Sequence, residues 1–151
     1  MIDASRKIAL GADHAGYEYK ENIKSLLKSL GYSFQDFGTS SPESTDYPDY
    51  AHAVAEAVSS GKADTGILVC GTGIGMSIVA NKHTGVRAAA VESVNAAKLA
   101  REHNNANILA IGARLIPWER AEEIIKVFLS TQFEGGRHQR RIDKIHTLTN
   151  L

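Results

Sequence analysis

The sequence predicts an α/β fold, a parallel sheet covered by helices on both faces. Three observations carry this. Apolar runs of five or six residues alternate with helical periodicity along almost the whole chain. The clearest runs are continuously apolar, as strands buried on both faces are. Glycines stand where the helical patterns stop. The 151 residues, 43% of them hydrophobic, supply one domain with a sizeable core.

The elements follow in order. Lys7 to Ala12 (KIALGA) reads as a first buried strand. Ile23, Leu26, Leu27 and Leu30 share one helix face, and Gly31 fits the stop. Ser33 to Phe37 is a second strand. Ala51, Val54, Ala55 and Val58 repeat the helical spacing, and Gly61 follows their end. Thr65 to Cys70 (TGILVC) is a third strand, and glycine-rich residues 71–75 open into a helix from Met76 to Lys82. Val86 to Val91 is a fourth strand. Ser93 caps a helix running to His103. Asn107 to Gly112 is a fifth strand. Ala121, Ile124, Ile125 and Phe128 mark another helix, and Arg137 to Thr149 a polar C-terminal one.

Composition excludes several classes. Lys plus Arg and Asp plus Glu are both 17, so no global basic field holds nucleic acid or an acidic membrane. The one cysteine, Cys70, rules out an intramolecular disulfide. The apolar stretch after the basic pair in MIDASRKIALG is too short for a signal h-region, and no run approaches a membrane span. The expectation is a soluble intracellular domain. The six histidines are scattered and the cysteine sits alone in the glycine loop, so no metal site is expected.

Ligands of such sheets bind beyond the carboxyl ends of the strands. Asp13 and His14 follow the first strand; Asp13 reads equally well as a helix cap. After the third come Cys70-Gly71-Thr72-Gly73-Ile74-Gly75. Glycines here let backbone N–H groups face an anion or a developing oxyanion at a helix N-terminus. Three known phosphate loops fail on this stretch: no Gly-Lys-Ser/Thr ending occurs, and Met76 stands where a dinucleotide fingerprint needs Gly or Ala and a Cys-x5-Arg loop needs Arg. Cys70 reads as a buried hydrophobe or, beside a helix N-terminus that favours thiolate, as a nucleophile or base. His103 and Asn104 close the fourth helix pattern, and Arg114 follows the fifth strand. Arg137 and Arg141, at i and i+4, share a helix face and can grip one dianion, with His138 and Arg140 beside them. A solvated basic face and an RNA-binding tail are the alternatives, the latter without interleaved aromatics. A base, an oxyanion cradle and several arginines together suggest proton abstraction next to a carbonyl of a small phosphorylated metabolite.

The motifs GADHAG, TDYP, CGTGIGMSIVANK, REHNNANILAIGAR and FEGGRHQRRI, in this order across nearly the whole chain, closely resemble ribose-5-phosphate isomerase type B. The resemblance implies a Rossmann-like three-layer α/β/α sandwich with a five-stranded parallel sheet, formed as a single domain over 1–151. It implies a homodimer, in some members paired into tetramers, with each active site built from both subunits and the helix at about 137–149 at the dimer interface. The reaction would interconvert ribose 5-phosphate and ribulose 5-phosphate in the cytoplasm, in the non-oxidative pentose phosphate pathway, without metal or cofactor. The partner would be a small sugar phosphate, not nucleic acid or membrane. By resemblance Cys70 is the base, Gly71, Gly73, Ile74 and Gly75 supply the anion hole, and Thr72 assists proton traffic. His103 opens the furanose ring. Asp13 and Asn104 hold sugar hydroxyls, Tyr47 lines the sugar pocket, and His14, Arg114, Arg137 and Arg141 bind phosphate. One branch of the family places a Glu base where Met76 stands, so Cys70 puts this chain in the cysteine branch. Related isomerases of allose or galactose 6-phosphate share these motifs, and a non-catalytic phosphosugar-binding module is the reading from another class.

Overall fold

The computed structural model describes residues 3–151. Met1 and Ile2, which open the stretch weighed above as a signal segment, lie outside the described residues. The strands are β1 (Lys7–Ala12), β2 (Ser33–Asp36), β3 (Thr65–Cys70), β4 (Ala88–Ala90) and β5 (Ile108–Gly112). The helices are α1 (Tyr17–Leu30), α2 (Tyr47–Ser59), α3 (Ile74–Ala80), α4 (Val94–Asn104), α5 (Trp118–Ser130) and α6 (Arg137–Thr149). All strand pairings are parallel, in the order β2-β1-β3-β5-β4. Among the described residues no helix is long and apolar enough to cross a membrane.

The pleat divides the core into two layers. Ile8, Leu10, Ile67, Val69, Leu109 and Ile111 face α1, α4 and α5. Ala9, Leu68, Cys70, Ile108 and Ala110 face α2 and α3, where Val54, Ala55, Met76 and Ala80 cover them. Gly66 on this second face lets α2 sit close to the sheet: a Cβ there would come within 2.8 Å of Val54. Cys70 therefore points to the α2/α3 side.

Local signals set the helix ends as expected. Ser93 accepts from the Ala96 N–H (3.1 Å) at the start of α4. Gly31 ends α1 in the left-handed region. β2, β5 and α4 differ from the sequence reading by a single residue at an end, and two elements differ by more. β4 has three residues rather than six; it is an edge strand, and before it the Arg87 N–H donates to the Asn107 Oδ1 side-chain oxygen rather than to a backbone carbonyl (2.8 Å). Helix α3 starts at Ile74, so part of the glycine segment is already helical.

β1 and β3 are neighbours whose chains leave in opposite directions, β1 toward β2 and β3 toward β5. A crevice opens beyond the carboxyl ends of strands at such a switch point. Asp13 and Cys70 are the residues there.

Candidate active site

The loops after β1, β3 and β5 lock together. The Asp13 N–H donates to the Val69 carbonyl (3.2 Å), Ala113 N–H to the Cys70 carbonyl (2.8 Å), and Arg114 N–H to the Gly71 carbonyl (3.0 Å). Asp13 is buried, and its carboxylate accepts from the N–H groups of Ala15 and Gly16 (3.0 and 3.2 Å), so it is also a cap. His14 is tied through Nδ1 to the Thr45 N–H (3.1 Å), and the Thr45 hydroxyl meets the Tyr50 hydroxyl (2.8 Å).

Cys70 ends β3 and is buried, 5% exposed as a residue. The Gly73 N–H donates to its Sγ at 3.0 Å, a bond that grows stronger if the sulfur is anionic. The Ile74 N–H donates to Thr72 Oγ1 (3.2 Å). Gly73 caps α3 without a side chain, so the N–H groups of Gly75 and Met76 in the first turn have no intrahelical acceptor. Two side chains flank the loop. Arg114 crosses Gly71, where a Cβ would lie 3.1 Å from its Nη1, and the Tyr47 ring lies against Gly75, where a Cβ would lie 2.7 Å away. Met76 is fully buried in the α2/α3 core and lines nothing.

Cys70, Thr72, the glycine loop, Asp13, His14, Tyr47 and Arg114 thus gather at one end of the sheet. His103, Asn104, Arg137 and Arg141 do not join them within the chain. Gly66 pairs with Ile108 where β3 and β5 begin, and Cys70 with Gly112 where they end. Four residue steps separate the two ends by about 13 Å. α4 runs back against the strands, so His103 and Asn104 emerge at the starting end. There the Asn104 carbonyl accepts from Arg87 Nε (3.0 Å), and the Asn107 carbonyl accepts from the Gly66 N–H (2.8 Å). α6 packs on this end of α4. The Glu134 N–H donates to the Glu102 carbonyl (3.1 Å), and Arg137 and Arg141 are exposed one turn apart.

Residues outside the sequence-based set organise this second group. The His103 and His138 rings stack, 4.3 Å between centroids and 12° between planes. His138 is buried, with Nε2 3.4 Å from Glu134 Oε2. Arg101 bonds the carbonyls of Ala106 and Thr131 and Asn105 Oδ1; burial pulls its guanidinium down to about 10. His138 stood beside Arg137 in the sequence, but stacking across two helices leaves no mark in spacing.

Comparison with known proteins gives a consistent result. The family model described as Ribose/Galactose Isomerase matches residues 8–145. The chain is 48% identical over 140 residues to ribose-5-phosphate isomerase B of Escherichia coli strain K12, covering 93% of this chain and 94% of that protein. Among solved structures, ribose-5-phosphate isomerase B of Clostridium thermocellum superposes with a TM-score of 0.94 at 49% identity, over 95% of this chain and 97% of that one. The Mycoplasma genitalium ribose-5-phosphate isomerase B with bound ribulose-5-phosphate gives 0.95 at 42% identity, over 98% and 99%.

Proposed function

The chain belongs to the ribose/galactose isomerase family, and from that premise we propose that it is an aldose–ketose isomerase interconverting ribose 5-phosphate and ribulose 5-phosphate. The observation that carries the chemistry is Cys70, held at a strand end by the Gly73 N–H beside an uncapped helix N-terminus.

The Cys70 thiolate removes the proton from C2 of the open-chain sugar. The electron pair moves onto the carbonyl oxygen at C1, giving an enediolate; the proton on O2 passes to O1, relayed by the Thr72 hydroxyl, and the same sulfur returns its proton to C1, leaving the carbonyl at C2. The first-turn N–H groups of α3 and the Thr72 hydroxyl stabilise the developing negative charge. Asp13 and Tyr47 hold the sugar, and Arg114 and His14 meet the phosphate. His103 opens the furanose ring, Asn104 binds a sugar hydroxyl, and Arg137 and Arg141 complete the phosphate clamp. No step calls for a metal or a cofactor.

This set is complete only when a second copy brings its α4 and α6 ends to the first copy's strand ends. We therefore infer a two-fold homodimer over residues 1–151, with α6 at its interface. Ile74 and Ile78 on α3 and Ile145 and Leu148 on α6 are exposed, and the two helices flank edge strand β4. A contact through such a surface buries these four side chains on both protomers. A cytoplasmic location fits the free cysteine and the pathway.

Ribose 5-phosphate supplied to the purified protein is expected to yield ketose. Cys70→Ala is expected to bind the sugar and turn over at least ~10²-fold more slowly. Near-normal turnover in that variant removes the base assignment. The family also takes in galactose isomerases, so an isomerase of a hexose 6-phosphate, allose or galactose, is the second reading. Comparing kcat/KM for pentose and hexose phosphates decides between them.

A further inference from the structure

We propose that His52, Glu56 and His83 form a binding site for a divalent transition metal of the Zn²⁺, Co²⁺ or Ni²⁺ class, apart from the isomerase site. His52 and Glu56 stand at i and i+4 on one face of α2, and His83 follows the end of α3. One ligand atom from each lies within 4.8 Å of the other two. His52 Nδ1 and His83 Nε2 are 2.8 Å apart, and His83 Nε2 is 3.7 Å from Glu56 Oε1.

An independent feature orients the central ligand. His83 Nδ1 lies 3.1 Å from both the Val79 and the Ala80 carbonyls. Carbonyls only accept, so Nδ1 carries the proton and the Nε2 lone pair faces His52 and Glu56. Metal-ligating histidines are usually held in this way, by a bond from the other ring N–H to a backbone carbonyl or carboxylate. Two Zn–N bonds of about 2.0–2.1 Å at a tetrahedral angle set the nitrogens about 3.3 Å apart. From the observed 2.8 Å this is an opening of about 0.5 Å, which the exposed His52 ring can supply by swinging outward. Two nitrogens and one carboxylate oxygen, with the fourth position open to solvent, match the donor preference of this metal class rather than Mg²⁺ or Ca²⁺.

The other histidine-rich trio, His103, Glu134 and His138, has the wrong orientation. Its two rings stack nearly parallel, so their in-plane lone pairs run in separate planes and do not converge. The His52 and His83 rings are tilted by 45° and meet nitrogen to nitrogen. Tyr47 at the start of α2 already contacts Gly75 at the start of α3. A metal between His52 and His83 would join the same two helices further along, clamping both walls of the Cys70 loop.

The test is titration of the metal-stripped full-length protein with Co²⁺, read by its visible d–d absorption and by thermal unfolding. Wild type is expected to take up one equivalent per chain with a rise in Tm. His52→Ala, at an exposed position that leaves the fold intact, is expected to lose both signals; Glu56→Gln is expected to bind more weakly, and His138→Ala to bind as wild type. No saturable uptake by wild type, or uptake that survives His52→Ala, overturns the proposal. Loss of the signal in His138→Ala alone assigns the ion to the other trio and overturns it equally.

Discussion

The thiol of Cys70 is defined by its immediate neighbours. It accepts one N–H, from Gly73, and is otherwise packed in the α2/α3 layer. The position of Thr72 beside it depends on a residue from another strand. A Cβ on Gly112 would lie 2.7 Å from the Thr72 backbone, which cannot yield as a flexible side-chain tip can. Gly112→Ala is therefore expected to displace the loop and lower kcat/KM by about 10- to 100-fold, since ~1 Å of misplacement can cost that much. Unchanged steady-state kinetics would show that loop position is not critical. The glycine loop after Cys70 is legible from sequence because its residues are contiguous, and Thr72 enters the proposed site through the family resemblance. The pressure of Gly112 on Thr72 is not legible there, because it crosses forty positions of chain.

The elements are held by a few placed charges. The Lys20 side chain on α1 is 1% exposed and donates to Asp36 Oδ2 at the end of β2 (2.6 Å). Burial pushes the Asp36 carboxyl up, but bonds from Lys20, the Gly38 N–H and Lys24 outweigh it and hold the carboxyl below its ordinary range. A carboxylate so depressed adds stability above its unfolded pKa of about 3.9 and loses it as pH falls through the folded value. Asp36→Asn leaves Lys20 with only Glu21 at 3.9 Å. It is expected to cost on the order of 2 kcal/mol near neutral pH, less than the ~3–5 of a fully buried pair because Asp36 is 26% exposed. Denaturant unfolding of both proteins should show the gap narrowing below about pH 4; a gap constant with pH would show that the charge of Asp36 is not the cause. At this scale β1, β3 and α6 were legible to the residue, since burial and periodicity agree there. β4 is shorter than its apolar run: Ala88 and Ala89 are half-buried and Ala90 is exposed, because small side chains on an edge strand read as apolar without being buried.

For the whole molecule the decisive feature is the division of the proposed site between the two ends of the sheet. A two-fold dimer predicts complementation. Cys70→Ala and His103→Ala chains should each be nearly inactive. Unfolded and refolded together in equal amounts, they should recover about a quarter of wild-type activity, because half the dimers are mixed and each has one intact site. No recovery would place both residues in the same protomer's site. Ile78→Glu, which puts a charge on the exposed α3 face, is expected to give monomers by analytical ultracentrifugation and to lose activity with them. An active monomer would refute the shared site.

The sequence by itself determined the order of the elements, the α/β class and the family, because periodicity, glycine stops and contiguous motifs are local properties that survive in one dimension. It also carried every residue of the proposed chemistry. Only the tertiary structure decided which of them meet. Parallel strands force each connecting helix to run back, so residues at a helix C-terminus emerge a strand length away from those at the preceding strand's end. His103 and Asn104 are thereby separated from Cys70 within the chain. The same constraint places α2 beside α3 and brings His83 against His52 and Glu56, a cluster that no spacing along the chain announced.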